Sequence, residues 1–367
     1  MLSAADEVVV TGVGLVTPWP DPARRLGPGR PEPAADWFDA TAELGPRGHK
    51  YLPPGARYLL AAGRRALRAA GVDAVGVDAA GPDAAGDRTA AAVAADRRGM
   101  VLGTNSALAP LFREMDRTVV EQGAERLSPA TAPYFAINVL AGRLASEQAL
   151  RGFGLTLTTP AVAGLEAVLA GTRALAADRA DLVLVTAAED RLPRGEPGAR
   201  YGEEGAVALV LEPRGRAERR GASVLGRCAV TTAYVPPSAA HDAPGGELEQ
   251  RLVELLHTLC PDWSRRPLPV HAVLDASGRG RAAARVLDGP AGAPGRVRTV
   301  AAGAGCLSPL LRGAALLAAG APAADAGGAH LVVSVTATGH LAAARVEAAA
   351  STHGRGGRDA ASTAFPA

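Results

Sequence analysis

Apolar and polar positions follow two periods along this chain, one typical of buried strands and the other of helices. Short apolar, β-branched runs predict strands, first at Val8–Val10 and again at Gly99–Thr104 and Asp181–Thr186. Apolar residues at helical spacing predict a helix over residues 56–71, where Gly71 follows the last apolar position. The repeated alternation predicts an α/β protein whose sheets are covered on both faces.

The same patterns continue to the end of the chain. Further strands are predicted over residues 155–159, 206–212, 224–234, 270–274, 297–302, 330–337 and 341–347. Further helices are predicted over residues 108–122, 133–150, 162–177, 247–259, 281–288 and 306–319. The second half repeats the rhythm of the first, which suggests an internal duplication. Loops are predicted at 19–55 and 73–88, a charged stretch at 213–221, and a disordered tail at 348–367.

Composition removes several classes of function. The chain has 367 residues and a net charge of only +2, which argues against a protein that binds nucleic acid or a membrane surface through bulk charge. No apolar run reaches the ~20 residues of a membrane span. The three cysteines are widely spaced, and the first residues are acidic rather than signal-like. A reducing cytoplasm is therefore the predicted compartment.

Common cofactor and metal motifs fail when they are compared with the sequence. Gly12-x-Gly14 lacks the third glycine of a dinucleotide fingerprint and predicts a tight turn instead. A phosphate-binding loop, an HExxH motif and paired His/Cys spacing are not found in the sequence. Ser277 lacks the glycine two positions before it that a nucleophile elbow requires. We therefore expect no metal and no cofactor.

Several segments, in order, resemble the β-ketoacyl synthase family of the thiolase-like fold. They are VVVTGVGLVTP at 8–18, GMVLGT at 99–104, FAIN at 135–138, the strand, turn and helix at 155–189, EGAVALVLE at 204–212, DASGRGR at 275–281 and GCL at 305–307. The resemblance covers about residues 8–346. It implies two similar α/β halves in a layered αβαβα arrangement, with halves at 1–220 and 221–347.

The resemblance also implies which chemistry to look for. In that family a cysteine at a helix start attacks an acyl thioester, and two histidines assist decarboxylation of a malonyl unit. The matching positions here are Ala161 for the nucleophile and Ser277 and Cys306 for the histidines, while the usual lysine position is Ala301. Because alanine offers no nucleophile, an acyl-enzyme cannot form at that position.

A ketosynthase-like chain without its nucleophile resembles the chain length factor of type II polyketide synthases. That likeness implies a heterodimer with an active ketosynthase, an acyl carrier protein as second partner, and neither nucleic acid nor membrane as a partner. Alanine rather than glutamine at 161 favours the divergent factors of reducing, polyene-forming systems. In the family a helix near 106–120 lines the acyl tunnel. The implied tunnel residues are Leu108, Phe112 and Met115, followed by Tyr134 and Phe135.

Plainer interpretations stand beside each of these. The tunnel residues fit ordinary core packing equally well, and Ala161 fits a small residue at a helix start. Ser277 is a candidate helix cap. Cys306 fits either a buried apolar cysteine or the relocated nucleophile of an acyltransferase or decarboxylase with this fold. A stand-alone module that binds an acyl group or a carrier protein is a further possibility.

Overall fold

A computed structural model describes residues 7–19, 34, 36–72, 93–196, 198–199, 202–238, 242–263, 265–289, 297–319 and 328–349. The predicted loop at 73–88 and the tail from residue 350 lie outside this part of the chain. The strands are β1 Val8–Val16, β2 Arg98–Gly103, β3 Gly154–Leu157, β4 Leu182–Glu189, β5 Gly205–Pro213, β6 Gly226–Tyr234, β7 Val270–Leu274, β8 Val297–Ala301, β9 Ala329–Val335 and β10 His340–Ala348. The helices are α1 Ala40–Leu44, α2 Pro54–Ala69, α3 Ala109–Gln122, α4 Val139–Glu147, α5 Ala163–Ala176, α6 Arg214–Arg219, α7 Glu247–Leu259, α8 Gly278–Asp288 and α9 Leu307–Ala319.

The strands form a ten-stranded sheet in which one five-strand pattern occurs twice. Its order is β3-β2-β4-β5-β1-β6-β10-β9-β7-β8. Counted from its own first strand, each half has the order 3-2-4-5-1, and the halves meet where Val10 pairs with Gly226. In each half the second strand is parallel to the third and fourth strands, whereas the fifth strand pairs antiparallel with the fourth. The repeated topology agrees with the repeated order of strands and helices predicted from the sequence. The boundary between the two halves at residues 220/221 stays a prediction.

Three buried clusters give the layers. One joins α2 and α4 to β1, β2, β4 and β5, and another joins α7 and α8 to the second five strands. Between them, α5 and α9 pack against each other and against strands of both halves, including Val185 of β4 and Val332 of β9. The helices therefore form outer, central and outer layers around two half-sheets. This is the predicted αβαβα arrangement, and it covers each half-sheet on both faces.

The two glycines near the start correct one prediction. Gly12 and Gly14 lie inside β1 rather than in a tight turn. A side chain on either would meet the α2 backbone, because an added Cβ would lie 2.2 Å from the Ala66 oxygen and 2.0 Å from the Ala62 oxygen. The glycines therefore allow a helix to approach a strand closely, and this requirement does not show in a local turn pattern.

Other elements differ from the prediction at their ends. The helix predicted over 133–150 is confined to α4, and a 3₁₀ segment at Pro129–Phe135 precedes it. Two prolines in that segment, Pro129 and Pro133, favour the interruption. The charged stretch at 213–221 contains the short helix α6. Within the described residues, the helices are all too short or too polar to cross a membrane.

Candidate functional site

The site implied by the sequence lies where parallel strands end. Asn105 follows β2, Ala161 follows β3, Ser277 follows β7 and Cys306 follows β8. Carboxyl ends of neighbouring parallel strands share one edge of a sheet, the usual place for a ligand site in such folds. The repeat makes Asn105 equivalent to Ser277 and Ala161 equivalent to Cys306.

The starts of α5 and α9 meet at this edge. A Cβ added to Gly164, in the first turn of α5, would lie 2.6 Å from the Cys306 carbonyl oxygen. The structure therefore brings the Ala161 turn and Cys306 together. Ser277 belongs to the adjoining strand end, where the Ala302 N–H donates to the Leu274 oxygen at 2.8 Å and ties the β7 and β8 ends.

Ala161 keeps a strained turn but carries no reactive atom. Its φ is +56°, in the left-handed region, which costs an alanine roughly 1 kcal/mol. Its N–H donates to Oδ1 of Asn105 at 3.2 Å. The next two amides also have internal acceptors: Val162 donates to the Pro160 oxygen at 2.8 Å, and Ala163 to the Thr159 oxygen at 3.1 Å. A methyl group at this turn supports neither acyl transfer nor proton transfer.

Ser277 is the N-cap of α8. Its hydroxyl accepts from the Gly280 N–H at 3.1 Å and donates to the Asp275 carboxylate. Asp275 also accepts from the Ser277 N–H at 3.0 Å and the Ala337 N–H at 2.8 Å. The serine is therefore held in a capping network at the start of α8, where its hydroxyl is committed to the Asp275 carboxylate and the Gly280 amide.

Cys306 is fully buried at the turn before α9. Its N–H donates to Oε1 of Glu189 at 2.8 Å. Burial, followed by the negative charge of Glu189, raises the pKa of the Cys306 thiol well above its ordinary value. A thiol that stays protonated and sealed from solvent is a poor nucleophile, so the geometry disfavours relocated chemistry at this residue.

Two buried carboxyl groups, which the sequence analysis did not find, organise this edge. Glu189 accepts from the Asn105 N–H at 2.9 Å, from the Ser106 N–H at 2.5 Å and hydroxyl at 2.9 Å, and from Cys306. Glu203 accepts from the N–H groups of Leu307 at 2.7 Å and Ser308 at 3.0 Å. Both glutamates belong to the first half of the chain, and together they tie that half to the start of α9 in the second half. The sequence signal that could have found them is their position, since each is an acidic residue at one end of an apolar strand segment.

Both carboxyl groups have perturbed protonation. Burial raises the pKa of Glu189, although its amide and hydroxyl donors oppose the shift. Burial, with the added repulsion of Glu189, raises the pKa of Glu203 to about 7. Burial and mutual repulsion therefore favour the protonated forms of the two carboxyl groups, whereas the donors at the start of α9 favour the charged forms.

The proposed tunnel residues occupy different environments. Leu108 and Met115 are buried, and Leu108 belongs to the core beneath α2. Phe112 is half-buried, packs against that core and also lines a groove of about 620 Å³ between α3 and residues 192–196. Tyr134 is half-buried and Phe135 is 67% exposed, both in the 3₁₀ segment rather than at a helix start. The structure thus separates a groove-lining phenylalanine from its buried neighbours.

Exposed apolar side chains occur on the edge strand β3 and on two other segments of the first half. The short strand is half-exposed, and Leu155 is 41% exposed. Val120 on α3 is 85% exposed, and α4 contacts both β3 and the 3₁₀ segment that carries Phe135. These side chains are available for contact with another molecule. Among the described residues, groups of three or more His, Cys, Asp or Glu arranged for a metal ion are not found.

Comparison with known proteins identifies what the chain is similar to. Residues 28–200 match the family model described as the N-terminal domain of β-ketoacyl synthase. A chain of the AntDE:AntF (apo) structure, a type II polyketide synthase acyl-carrier protein in complex with its ketosynthase bound to the hexaketide, has a TM-score of 0.67 at 18% identity over 93% of this chain and 99% of that chain. No curated protein sequence matches the chain.

Two further solved structures share the fold. The ishigamide ketosynthase/chain length factor has a TM-score of 0.59 at 22% identity and covers 92% of this chain and 98% of that chain. A β-ketoacyl synthase from Burkholderia phymatum STM815 has a TM-score of 0.64 at 15% identity, with 94% and 100% covered. At these identities the similarity establishes the ketosynthase fold, in agreement with the expectation from the sequence.

Proposed function

We propose that this chain, which carries a β-ketoacyl synthase N-terminal domain at residues 28–200 and has a ketosynthase fold, is a non-catalytic chain length factor. It would pair with an active ketosynthase and shape the tunnel for the growing acyl chain in type II polyketide synthesis. The observation that carries this proposal is the Ala161 turn, which keeps the strained geometry of a reactive site without a nucleophile.

The surrounding positions support a site without catalysis. Ser277 is bound into a helix cap and Cys306 is buried beside Glu189. In hydrolases, removing a whole nucleophilic group of residues costs on the order of 10⁶ in rate, so tuning elsewhere does not compensate for such a loss. A retained fold with lost chemistry favours a role in binding or shaping.

The exposed face at β3 supports pairing with a protein of the same fold. An edge strand offers unpaired backbone N–H and C=O groups along its outer side, and here Leu155 of β3 is itself exposed, as are Val120 and Phe135 elsewhere on the surface. An active ketosynthase of similar fold would present an equivalent edge, so the two edges would pair about an approximate two-fold axis. The ishigamide structure, named as a ketosynthase/chain length factor, provides the analogy.

The groove beside α3 supports the tunnel assignment. Phe112 presents part of its ring to this groove, while Leu108 and Met115 hold the helix from beneath. The groove is lined by apolar side chains, including Val120 and Leu192, and by charged ones, including Arg113 and Glu196, and a bulky ring in its wall would limit how much acyl chain enters. We assign the specificity for the length of the acyl chain to Phe112, with Tyr134 and Phe135 as second candidates. The acyl carrier protein would deliver the chain to the active subunit.

Co-expression with an active ketosynthase and acyl carrier protein of the same biosynthetic system tests the pairing. We expect the two ketosynthase-fold chains to purify together, and malonyl condensation to require both. Condensation by this chain alone, or an active ketosynthase whose products do not change when it is omitted, would contradict the proposal.

Product length tests the tunnel. Phe112→Ala should lengthen the acyl products, because it removes a ring from the groove wall, whereas Tyr51→Ala, at an exposed tyrosine outside the groove, should not change them. Mass spectrometry of products released from the carrier protein provides the readout. Equal product distributions for both variants in an assembled, active pair would remove Phe112 from the tunnel.

A further inference from the structure

We infer that Asn105 is a positioning residue that closes the amino-terminal end of α5, so that this helix start cannot activate a group at position 161. This inference rests on the proposed non-catalytic function and deepens it. The absence of a nucleophile would then be one of two barriers to chemistry. The second barrier is the internal use of the amides that a reactive group would need.

The side chain of Asn105 spans two turns. Its Nδ2 donates to the Thr158 oxygen at 2.8 Å, and its Oδ1 accepts from the Ala161 N–H at 3.2 Å. Its backbone N–H donates to the buried carboxylate of Glu189 at 2.9 Å, which anchors the residue from behind. One side chain therefore holds the end of β3 and the strained turn in a fixed relation to the end of β2.

The neighbouring amides are satisfied as well. Val162 and Ala163 donate to the carbonyl oxygens of Pro160 and Thr159 at 2.8 and 3.1 Å. The Gly164 N–H lies against the sulfur of Cys306, and this contact opposes the rise in the pKa of that thiol. The four successive amides of residues 161–164, which lead into the first turn of α5, thus all face acceptors from within the chain. Asn105 supplies the acceptor that occupies the amide of Ala161.

The physical consequence concerns any thiol placed at 161. A helix start ordinarily lowers the pKa of a thiol there, because free N–H groups and the helix dipole stabilise the thiolate. When a carboxamide oxygen already accepts from the Ala161 N–H, that donor is unavailable to stabilise a thiolate at this position. Reintroducing a nucleophile alone should therefore give an unactivated thiol.

The test compares Ala161→Cys with the double variants Ala161→Cys/Asn105→Ala and Ala161→Cys/Asn105→Asp. The rate of iodoacetamide alkylation is followed from about pH 6 to 10, with peptide mass spectrometry to separate the introduced thiol from the three native cysteines. We expect an ordinary thiol pKa in the single variant. Removal of the side chain should lower it by about one unit and speed alkylation several-fold at pH 7, and the aspartate should raise it.

Circular dichroism and thermal melting accompany each variant, and Asn105→Ser serves as the second truncation if the alanine variant does not fold. Identical pH profiles with and without the Asn105 carboxamide would overturn the inference, as would a low thiol pKa in Ala161→Cys alone. The measurement uses no ketosynthase partner and no polyketide. Its failure would therefore leave the pairing and product-length experiments unaffected, and failure of those experiments would leave this result standing.

Discussion

The pH dependence of stability tests the buried environment of Glu203, through the substitution Glu203→Gln. The folded chain raises the pKa of this carboxyl to about 7 from an ordinary value of 4.5, mainly by burial. A raised pKa means that the folded state favours the protonated form. The stabilising contribution is therefore fully present below pH 4.5 and is lost as the pH rises through about 7.

The size of the effect follows from the two pKa values. Each pKa unit corresponds to about 1.4 kcal/mol, so the difference between 4.5 and about 7 corresponds to about 3 kcal/mol. Glutamine does not ionise, but one of its two polar atoms is a donor that faces the N–H groups of Leu307 and Ser308. We expect the variant to be less stable than the wild type at acid pH and the gap to narrow by about 3 kcal/mol towards pH 8.

Urea unfolding of the purified chain, followed by circular dichroism at several pH values from about 4.5 to 8, measures this difference. Glu125→Gln, at an exposed carboxylate in a 3₁₀ turn, is the control and should leave the pH profile of the wild type unchanged. A free-energy gap between wild type and Glu203→Gln that stays constant over this range would refute the assignment of a raised pKa to Glu203.

Two further predictions concern packing and charge. Gly14→Ala should lower the free energy of unfolding by about 1–3 kcal/mol, because its Cβ would lie 2.0 Å from a carbonyl oxygen of α2. Gly142→Ala in α4, with no atom within 4 Å of its Cβ, should stabilise by up to about 1 kcal/mol, and a loss as large as that of Gly14→Ala would contradict this explanation. Arg220→Met should cost about 3–5 kcal/mol, since it leaves the fully buried Glu212, now paired at 2.5 Å, without its cation. Arg117→Met, in an exposed pair, should cost less than about 1 kcal/mol, and equal costs in urea unfolding would count against the role of burial.

Much of the fold was predictable because the period and the length of the hydrophobic pattern were clear in several helices and strands. The helix predicted over 247–259 and the strand over 270–274 match α7 and β7 at both ends. Gly12 and Gly14 were assigned wrongly, since a local pattern cannot show that a helix more than 40 residues later packs on them. The helix predicted at 133–150 was too long, because its pattern extended through prolines that favour a 3₁₀ segment.

The site was predictable only in part. Resemblance to a family located Ala161, Ser277 and Cys306, and the structure gives each of them its local contacts. Glu189 and Glu203 were missed, because in the sequence a glutamate at the end of a strand looks like a solvent-exposed residue. Only the folded structure shows that both are buried. The contact between Asn105 and the Ala161 amide joins residues 56 positions apart and requires the sheet register, which the sequence pattern does not provide.

Among the described strands β3 lies at the edge of the sheet, and under the proposed pairing this edge would link the fate of the chain in the cell to the supply of its companion. Copies synthesised in excess would meet one another through the same open strand, which invites aggregation. Orphan molecules would also be the preferred substrates of quality-control proteases, because they lack the cover that assembly provides. Under the proposed pairing, balanced translation of the two subunits would therefore follow from the position of β3 in the sheet.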